Sequence, residues 1–247
     1  MVDALGQRAK IGVVVPSTNT IVQPDFDALR PDGVTNHVAR IMIPNMAIQN
    51  DDDFLELMKK VEGELYAAVD RVMTAAPDYL VIGISSTIFW DGYDASEKRR
   101  QALEDHTGIP TSGGSFALAA ALEAYGVKKV AAFSPYQPIA DAQVTKFLTD
   151  RGFEVVRFKG LRCADPHAIA AVSEDELRRL LIEIDGDDVE AIVQVGTNLS
   201  MARLAAEAER WLGKPVIAIN PATYWHTLRR LGIRDRIAGH SPLLTEH

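Results

Sequence analysis

The stretches YLVIGISSTIFW (residues 79–90) and AIVQVGTNLSMA (191–202) read alike: an apolar strand, then small and hydroxyl residues, then a second apolar stretch. They lie 111 residues apart, counted from Gly83 to Gln194. Two further pairs stand in the same order. GIPTSGGSFALAAALEAYGV (108–127) matches GKPVIAINPATYWHTLRRLGI (213–233) at an offset of 105, each a Gly-x-Pro, a short strand, a turn and a helix closed by Gly. VVVPSTN (13–19) matches AAFSPYQ (131–137) at an offset of 118, each a strand running into a Pro/Ser turn. Three pairs in one order imply an internal duplication, and so two similar lobes.

Along the rest of the chain, short apolar runs alternate with amphipathic helical stretches, which is the pattern of parallel sheets covered by helices. The runs are Ile11–Val15, His37–Ile43, Tyr79–Gly83, Ile109–Thr111, Val130–Phe133, Glu154–Phe158, Ala191–Val195 and Pro215–Ile219. Helical patterns cover Asp52–Thr74, Ser115–Tyr125, Ile139–Arg151, Ser173–Ile184 and Met201–Leu212, and another ends near His106. The expected fold is α/β, with two pseudo-symmetric lobes, each a parallel four-stranded sheet flanked by helices, and a cleft between them. The lobes are expected to comprise residues 1–112 plus 226–247, and 113–225. The apolar Ser115–Tyr125 helix could support a homo-oligomer.

The 247 residues suffice for one large domain or two of about 100–150 residues. A net charge of −8, from 26 basic and 34 acidic side chains, leaves no basic excess to neutralise nucleic-acid phosphates or an anionic membrane. The single cysteine, Cys163, excludes an intramolecular disulfide and any multi-thiolate metal centre. The start lacks a cationic segment followed by a long apolar run, and no stretch reaches the ~18 apolar residues of a membrane span. A cytoplasmic location is expected.

In open parallel sheets, ligands bind beyond the carboxyl ends of the strands. Those ends here are Pro16-Ser17-Thr18-Asn19-Thr20, Ser85-Ser86-Thr87, Ser134-Pro135-Tyr136 and Gly196-Thr197-Asn198. All are rich in hydroxyls or amides and none carries a charge. Such residues also cap helices, but four such loops around one cleft make a cradle for a small anion, most naturally a carboxylate.

The motif Val13-Val-Val-Pro-Ser-Thr-Asn-Thr20, with Ser134-Pro-Tyr136 and Thr197-Asn198-Leu199, resembles the maleate cis–trans isomerase and arylmalonate decarboxylase group of the aspartate/glutamate racemase superfamily, over roughly residues 9–240. The resemblance implies an enzyme with its site between two lobes and with no metal and no organic cofactor. It implies that Ser85, Ser86 and Tyr136, with the backbone of Gly196 and Thr197, hold a reacting carboxylate, and that Ser17, Asn19 and Asn198 hold the rest of the substrate. The isomerases carry a thiol at one strand end of each lobe, and the decarboxylases keep only the second, as proton donor. Those positions fall at Ile84 and Gly196, so this chain lacks both thiols.

The cradle is therefore retained without the usual acid/base pair. Fixed donors of this kind stabilise an enediolate or a tetrahedral oxyanion. The expected function is a cofactor-independent enzyme acting on a small carboxylate or dicarboxylate, as a decarboxylase, another lyase or a maleate isomerase-like enzyme. Two alternatives stand: a hydrolase of a lactone, imide or amide whose serine is activated by a histidine or water, and a non-catalytic carboxylate-binding protein. Asp165, His167 and His226 are the candidate bases, with His226 placed in the first turn of the last long helix. Cys163 reads as a small buried hydrophobe. The acidic run Asp51-Asp-Asp53 reads as a helix start, not a metal site.

Overall fold

A computed structural model describes residues 3–247. The first sheet is built from β1 (Ala9–Pro16), β2 (Val34–Ile41), β3 (Tyr79–Ile82) and β4 (Thr111–Gly113), in the order β2-β1-β3-β4. The second is built from β5 (Lys129–Ser134), β6 (Glu154–Gly160), β7 (Ala191–Gln194) and β8 (Val216–Ala218), in the order β6-β5-β7-β8. All pairings are parallel. The two lobes thus repeat one topology, as the paired motifs require.

The register refines the offsets. Val14 pairs with Ile82 in the first sheet, and Phe133 with Gln194 in the second. The next N–H groups, of Gly83 and Val195, donate to the Val14 and Phe133 carbonyls at 2.8 and 2.9 Å. Pro16 then corresponds to Pro135, and Ile84 to Gly196. The two positions that the family resemblance marks for thiols are thus equivalent points, two residues beyond the last ladder pair.

The inner strands are apolar on both faces because both are covered. Val13, Val15 and Val81 of one sheet and Val130, Ala132 and Val193 of the other point into one shared core, filled by α5 (Gly114–Tyr125) and α10 (Ile219–Arg230) packed against each other. The apolar face of α5, including Leu118, Ala121 and Leu122, is consumed inside the chain and is not an outward surface. The other faces are covered by α2 (Asp51–Met73) on the first sheet, and by α8 (Glu174–Ile184) and α9 (Ala202–Leu212) on the second.

Strand β2 begins three residues earlier than its apolar run and stops at Ile41. Val34, Thr35 and Asn36 are recruited by backbone pairing to β1 at the sheet edge, where polar side chains can face water. Short helices escaped the periodicity reading: α1 (Val22–Ala28), α3 (Ser85–Ile88), α7 (Pro166–Ala170) and α11 (Pro242–Thr245). The remaining helices are α4 (Tyr93–Thr107) and α6 (Pro138–Asp150). Caps fix several starts. Asn50 accepts from the Asp53 N–H at 3.0 Å at the head of α2, where the acidic run serves the helix, and Ser173 accepts from the Glu176 N–H at 3.2 Å. Among the described residues, no helix is long and apolar enough to cross a membrane, and no three His, Cys, Asp or Glu side chains converge as a metal site would need.

Candidate active site

Beyond the carboxyl ends of β1, β3, β5 and β7 lies a cavity between the lobes. Its polar lining includes Asn19, Ser85, Ser86, Tyr136, Thr197 and Asn198. Ser85 and Ser86 open α3, directly after β3. Thr197 and Asn198 occupy the equivalent turn after β7, and Tyr136 follows β5.

The hydrogen bonds join the lobes. Ser85 Oγ lies 2.6 Å from the Tyr136 hydroxyl and accepts from the Thr197 N–H at 3.2 Å. Thr197 Oγ1 donates to the Gly83 carbonyl at 3.1 Å and accepts from Asn19 Nδ2 at 3.3 Å. Asn198 Oδ1 accepts from the Thr20 N–H at 2.9 Å, and its Nδ2 donates to the Pro166 carbonyl at 2.9 Å. With Ser85 Oγ already accepting from Thr197, the Ser85–Tyr136 pair keeps one hydroxyl proton for a ligand. Burial pushes the Tyr136 phenol above its usual range, so it stays a protonated donor.

Tyr136 is locked at its backbone. Its N–H donates to Ser134 Oγ at 3.0 Å, and Ser134 Oγ donates in turn to the carboxylate of Asp141. The Arg162 guanidinium bridges the Asp141 carboxylate and the Tyr136 carbonyl. Arg162 itself has φ +56°, a left-handed conformation uncommon for a side chain of its size. The same loop delivers Cys163, whose N–H donates to the Pro135 carbonyl at 2.9 Å.

The rest of the lining is largely apolar and includes Ile43, Ile48, Phe54, Leu57, Val61 and Ile169. Phe54 packs edge-on against Tyr136 at 5.5 Å between ring centroids. The segment after β2 that carries Ile48 is strapped to the second lobe, its N–H donating to the Ala164 carbonyl at 2.7 Å and its carbonyl accepting from Gln137 Nε2 at 2.9 Å. No Asp, Glu, Lys, Arg or His lines the cavity among the described residues.

Asn19, Ser85, Ser86, Tyr136, Thr197 and Asn198 therefore converge as expected. Ser17 and Gly196 are not on the wall. Ser17 Oγ donates to the Ile43 carbonyl at 3.0 Å and accepts the Ile43 N–H at 3.1 Å, and so anchors the apolar segment. Gly196 has φ +111°, and a Cβ there would lie 2.5 Å from Pro135 Cδ. It carries no side chain because neither the backbone nor the neighbouring ring leaves room for one.

None of the three proposed bases reaches the cavity. Asp165 caps α7 by accepting from the Ala168 N–H at 2.9 Å, and His167 is exposed. His226 lies two turns into α10, since Pro221 sits inside the first turn, where proline is tolerated. Its Nδ1 is 3.2 Å from Ser112 Oγ in a separate pocket with Arg100 and Arg230, and burial lowers its pKa to about 4. Cys163, in contrast, is half-buried and lines the cavity. Apart from Tyr136 it is the only titratable side chain there among the described residues. Sequence spacing could not place it, because its loop is turned inward by the Arg162 backbone and by bonds to another loop.

Known proteins agree with this architecture. The chain is similar to the maleate isomerase of Pseudomonas putida, 26% identical over 97% of this chain and 98% of that one. It is also similar to the arylmalonate decarboxylase of Bordetella bronchiseptica, 26% identical over 90% of each. Its fold superposes on the Nocardia farcinica maleate cis–trans isomerase with a TM-score of 0.87 at 21% identity, covering 96% of this chain and 98% of that one. The crystal structure of an arylmalonate decarboxylase gives 0.76 at 21% identity, covering 96% and 97%. The arylmalonate decarboxylase family model matches residues 11–244. With that match running nearly end to end over a two-lobed fold, the chain belongs to the arylmalonate decarboxylase family and is an enzyme of the isomerase or lyase type.

Proposed function

We propose that the chain is a cofactor-independent lyase that decarboxylates a small malonate-type acid bearing an apolar substituent. The observation that carries this reading is the lining of the cavity: hydroxyl and amide groups beside aliphatic and aromatic side chains, and no charged side chain among the described residues. Maleate presents two separated carboxylates and no apolar group to match the aliphatic and aromatic lining. A malonate carrying an alkyl or aryl group puts one carboxylate in the cradle and the group on that lining.

In the proposed reaction, Ser85, Tyr136 and the Thr197–Asn198 turn hold one carboxylate. The second carboxylate, displaced toward the apolar lining, is poorly solvated and loses its charge on leaving as CO2. The C–C bond breaks, and its electron pair passes into an enediolate whose oxygens the cradle stabilises. The carbon then takes a proton from the Cys163 thiol, and the thiolate regains one from water. Burial, with Glu176 and Asp165 nearby, pushes this thiol up to about 11. It is therefore protonated at neutral pH, which suits an acid and not the nucleophilic or basic thiolate of a two-thiol isomerase. A hydrolase is less well supported because the Ser112–His226 pair lies outside this cavity.

The test is a panel assay. CO2 release from 2-alkyl- and 2-arylmalonates is expected, together with no conversion of maleate to fumarate. Conversion of maleate with no malonate turnover would refute the lyase reading. Saturable binding without any turnover would establish a binding protein.

A further inference from the structure

Thr197 is gripped from both lobes, and the grip leads to a carboxylate that the proposed reaction does not use. Asn19 Oδ1 accepts from the N–H groups of Ile21 and Val22, at 3.0 and 2.9 Å, and so shapes the start of α1 while its Nδ2 holds the Thr197 hydroxyl. On the same helix, Asp25 Oδ2 accepts from Asn220 Nδ2 at 2.8 Å. The second hydrogen of that amide goes to the Thr197 carbonyl at 3.0 Å. Asn220 is 3% exposed, and its Oδ1 has no partner among the described residues. The Thr197 carbonyl belongs to the peptide whose N–H is that of Asn198, so the Asn220 amide fixes the orientation of a cradle peptide.

We infer that Asp25 is a positioning residue for the reaction proposed above: through Asn220 it holds the Thr197–Asn198 peptide in register with Ser85 and Tyr136, and it does so only when ionised. An ionised Asp25 presents acceptors alone, which commits the Nδ2 end of Asn220 to Asp25 and leaves its second hydrogen for Thr197. A protonated Asp25 needs an acceptor for its O–H. Asn220 Oδ1 can supply one after a half-turn of the amide, and that turn withdraws the donor from the Thr197 carbonyl. The orphaned Oδ1 is what makes the second arrangement available.

Burial raises the Asp25 carboxyl to about 6, opposed only by the Asn220 bond. Polar and titratable groups of the elements packed on α1 have other partners. On β2, Arg40 donates to the Asn19 carbonyl and Gln23, and His37 pairs with Thr35. On α10, Tyr224 donates to Asn36 and His226 pairs with Ser112, while Asp27 of α1 accepts from Asn36. The switch therefore lies within the pH range in which most enzymes are assayed.

The inference rests on the cavity being a carboxylate-processing site, and the experiment separates the two. The 15N–1H shifts of the Asn220 side chain and the Asn198 amide are followed from pH 5 to 8 in ligand-free protein, and kcat/KM for 2-methyl-2-phenylmalonate is measured over the same range. Wild type is expected to show both signals moving together, with a rise of at least tenfold in kcat/KM from pH 5 to 8. In Asp25→Asn, whose amide oxygen still accepts from Asn220, both are expected to be flat within twofold. Asp25→Leu is expected to lose at least tenfold in kcat/KM at pH 8, with most of that recovered in Asp25→Asn. A pH limb that persists in Asp25→Asn belongs to the substrate or another group and overturns the inference, as do shifts that do not titrate. Titrating shifts without turnover of any malonate would refute the lyase function while leaving the Asp25–Asn220 latch in place.

Discussion

Replacing Cys163 by serine or alanine examines the proton-delivery step directly. An ordinary thiol with a pKa of 9.0 is about one-tenth ionised at pH 8, whereas one pushed up to about 11 is about one-thousandth ionised. Alkylation proceeds through the thiolate, so iodoacetamide should label native Cys163 about 100-fold more slowly than the same residue in urea-unfolded protein. Intact-mass time courses at pH 8 measure this ratio without a substrate. A positioned general acid contributes about 10²–10⁴ in rate. Cys163→Ser and Cys163→Ala should therefore lose kcat in that range, with KM altered only a few-fold because Ser85, Tyr136 and the Thr197–Asn198 turn still hold the carboxylate. The residual product should also be racemic, since water reaches both faces of the enediolate while a fixed thiol reaches one. Labelling as fast as in the unfolded chain would refute the burial argument. A Cys163→Ser enzyme with undiminished kcat and a product of unchanged configuration would refute the donor role.

Other consequences are separable. Tyr136→Phe removes one cradle donor and should cost about 10²–10³ in kcat, while costing only about 1 kcal/mol of stability by urea titration. Gly196→Cys should not simply reinstate a family thiol: the φ of +111° and the Pro135 contact predict a loss of at least about 1–3 kcal/mol, whereas Ile84→Cys, at an ordinary backbone angle, should fold. Equal melting temperatures for the two variants would contradict this. Asp25, raised from 3.8 to about 6, makes the folded state the tighter proton binder, so wild-type stability falls as pH rises through that window. At about 1.4 kcal/mol per pKa unit, Asp25→Asn should stabilise the protein by on the order of 1–3 kcal/mol at pH 8 and leave it nearly unchanged at pH 4. The opposite sign would mean that the carboxylate is stabilised by a group other than Asn220.

The polar half of the site was legible in the sequence, and the reason is geometric. Ser85, Tyr136, Thr197 and Asn198 follow strands whose apolar runs are unmistakable, and parallel sheets gather the carboxyl ends of their strands at one edge. The apolar half was not. Ile48 and Phe54 come from the segment after an edge strand and from the first turns of a helix, and they meet Tyr136 only because the second lobe binds that segment through Gln137 and Ala164. Cys163 and His226 exchanged their expected standing for similar reasons. A left-handed arginine turned the cysteine's loop inward, and a helix that begins before its proline carried the histidine away from the cleft. Local pattern reports which elements exist, and side chains set by contacts between elements lie beyond it.

The bonds from Thr197 to Ser85, Gly83 and Asn19 cross from one half of the chain to the other. A single ancestral half, paired with an identical copy, would have presented the same residue at both equivalent strand ends. On a single chain that constraint does not apply. Ile84 and Gly196 could then become unlike, one filling a buried space and the other making way for a proline ring. Ile84 therefore lines the cavity at one strand end while the equivalent Gly196 does not, so a ligand meets unlike surroundings where an exact two-fold would present the same residue twice.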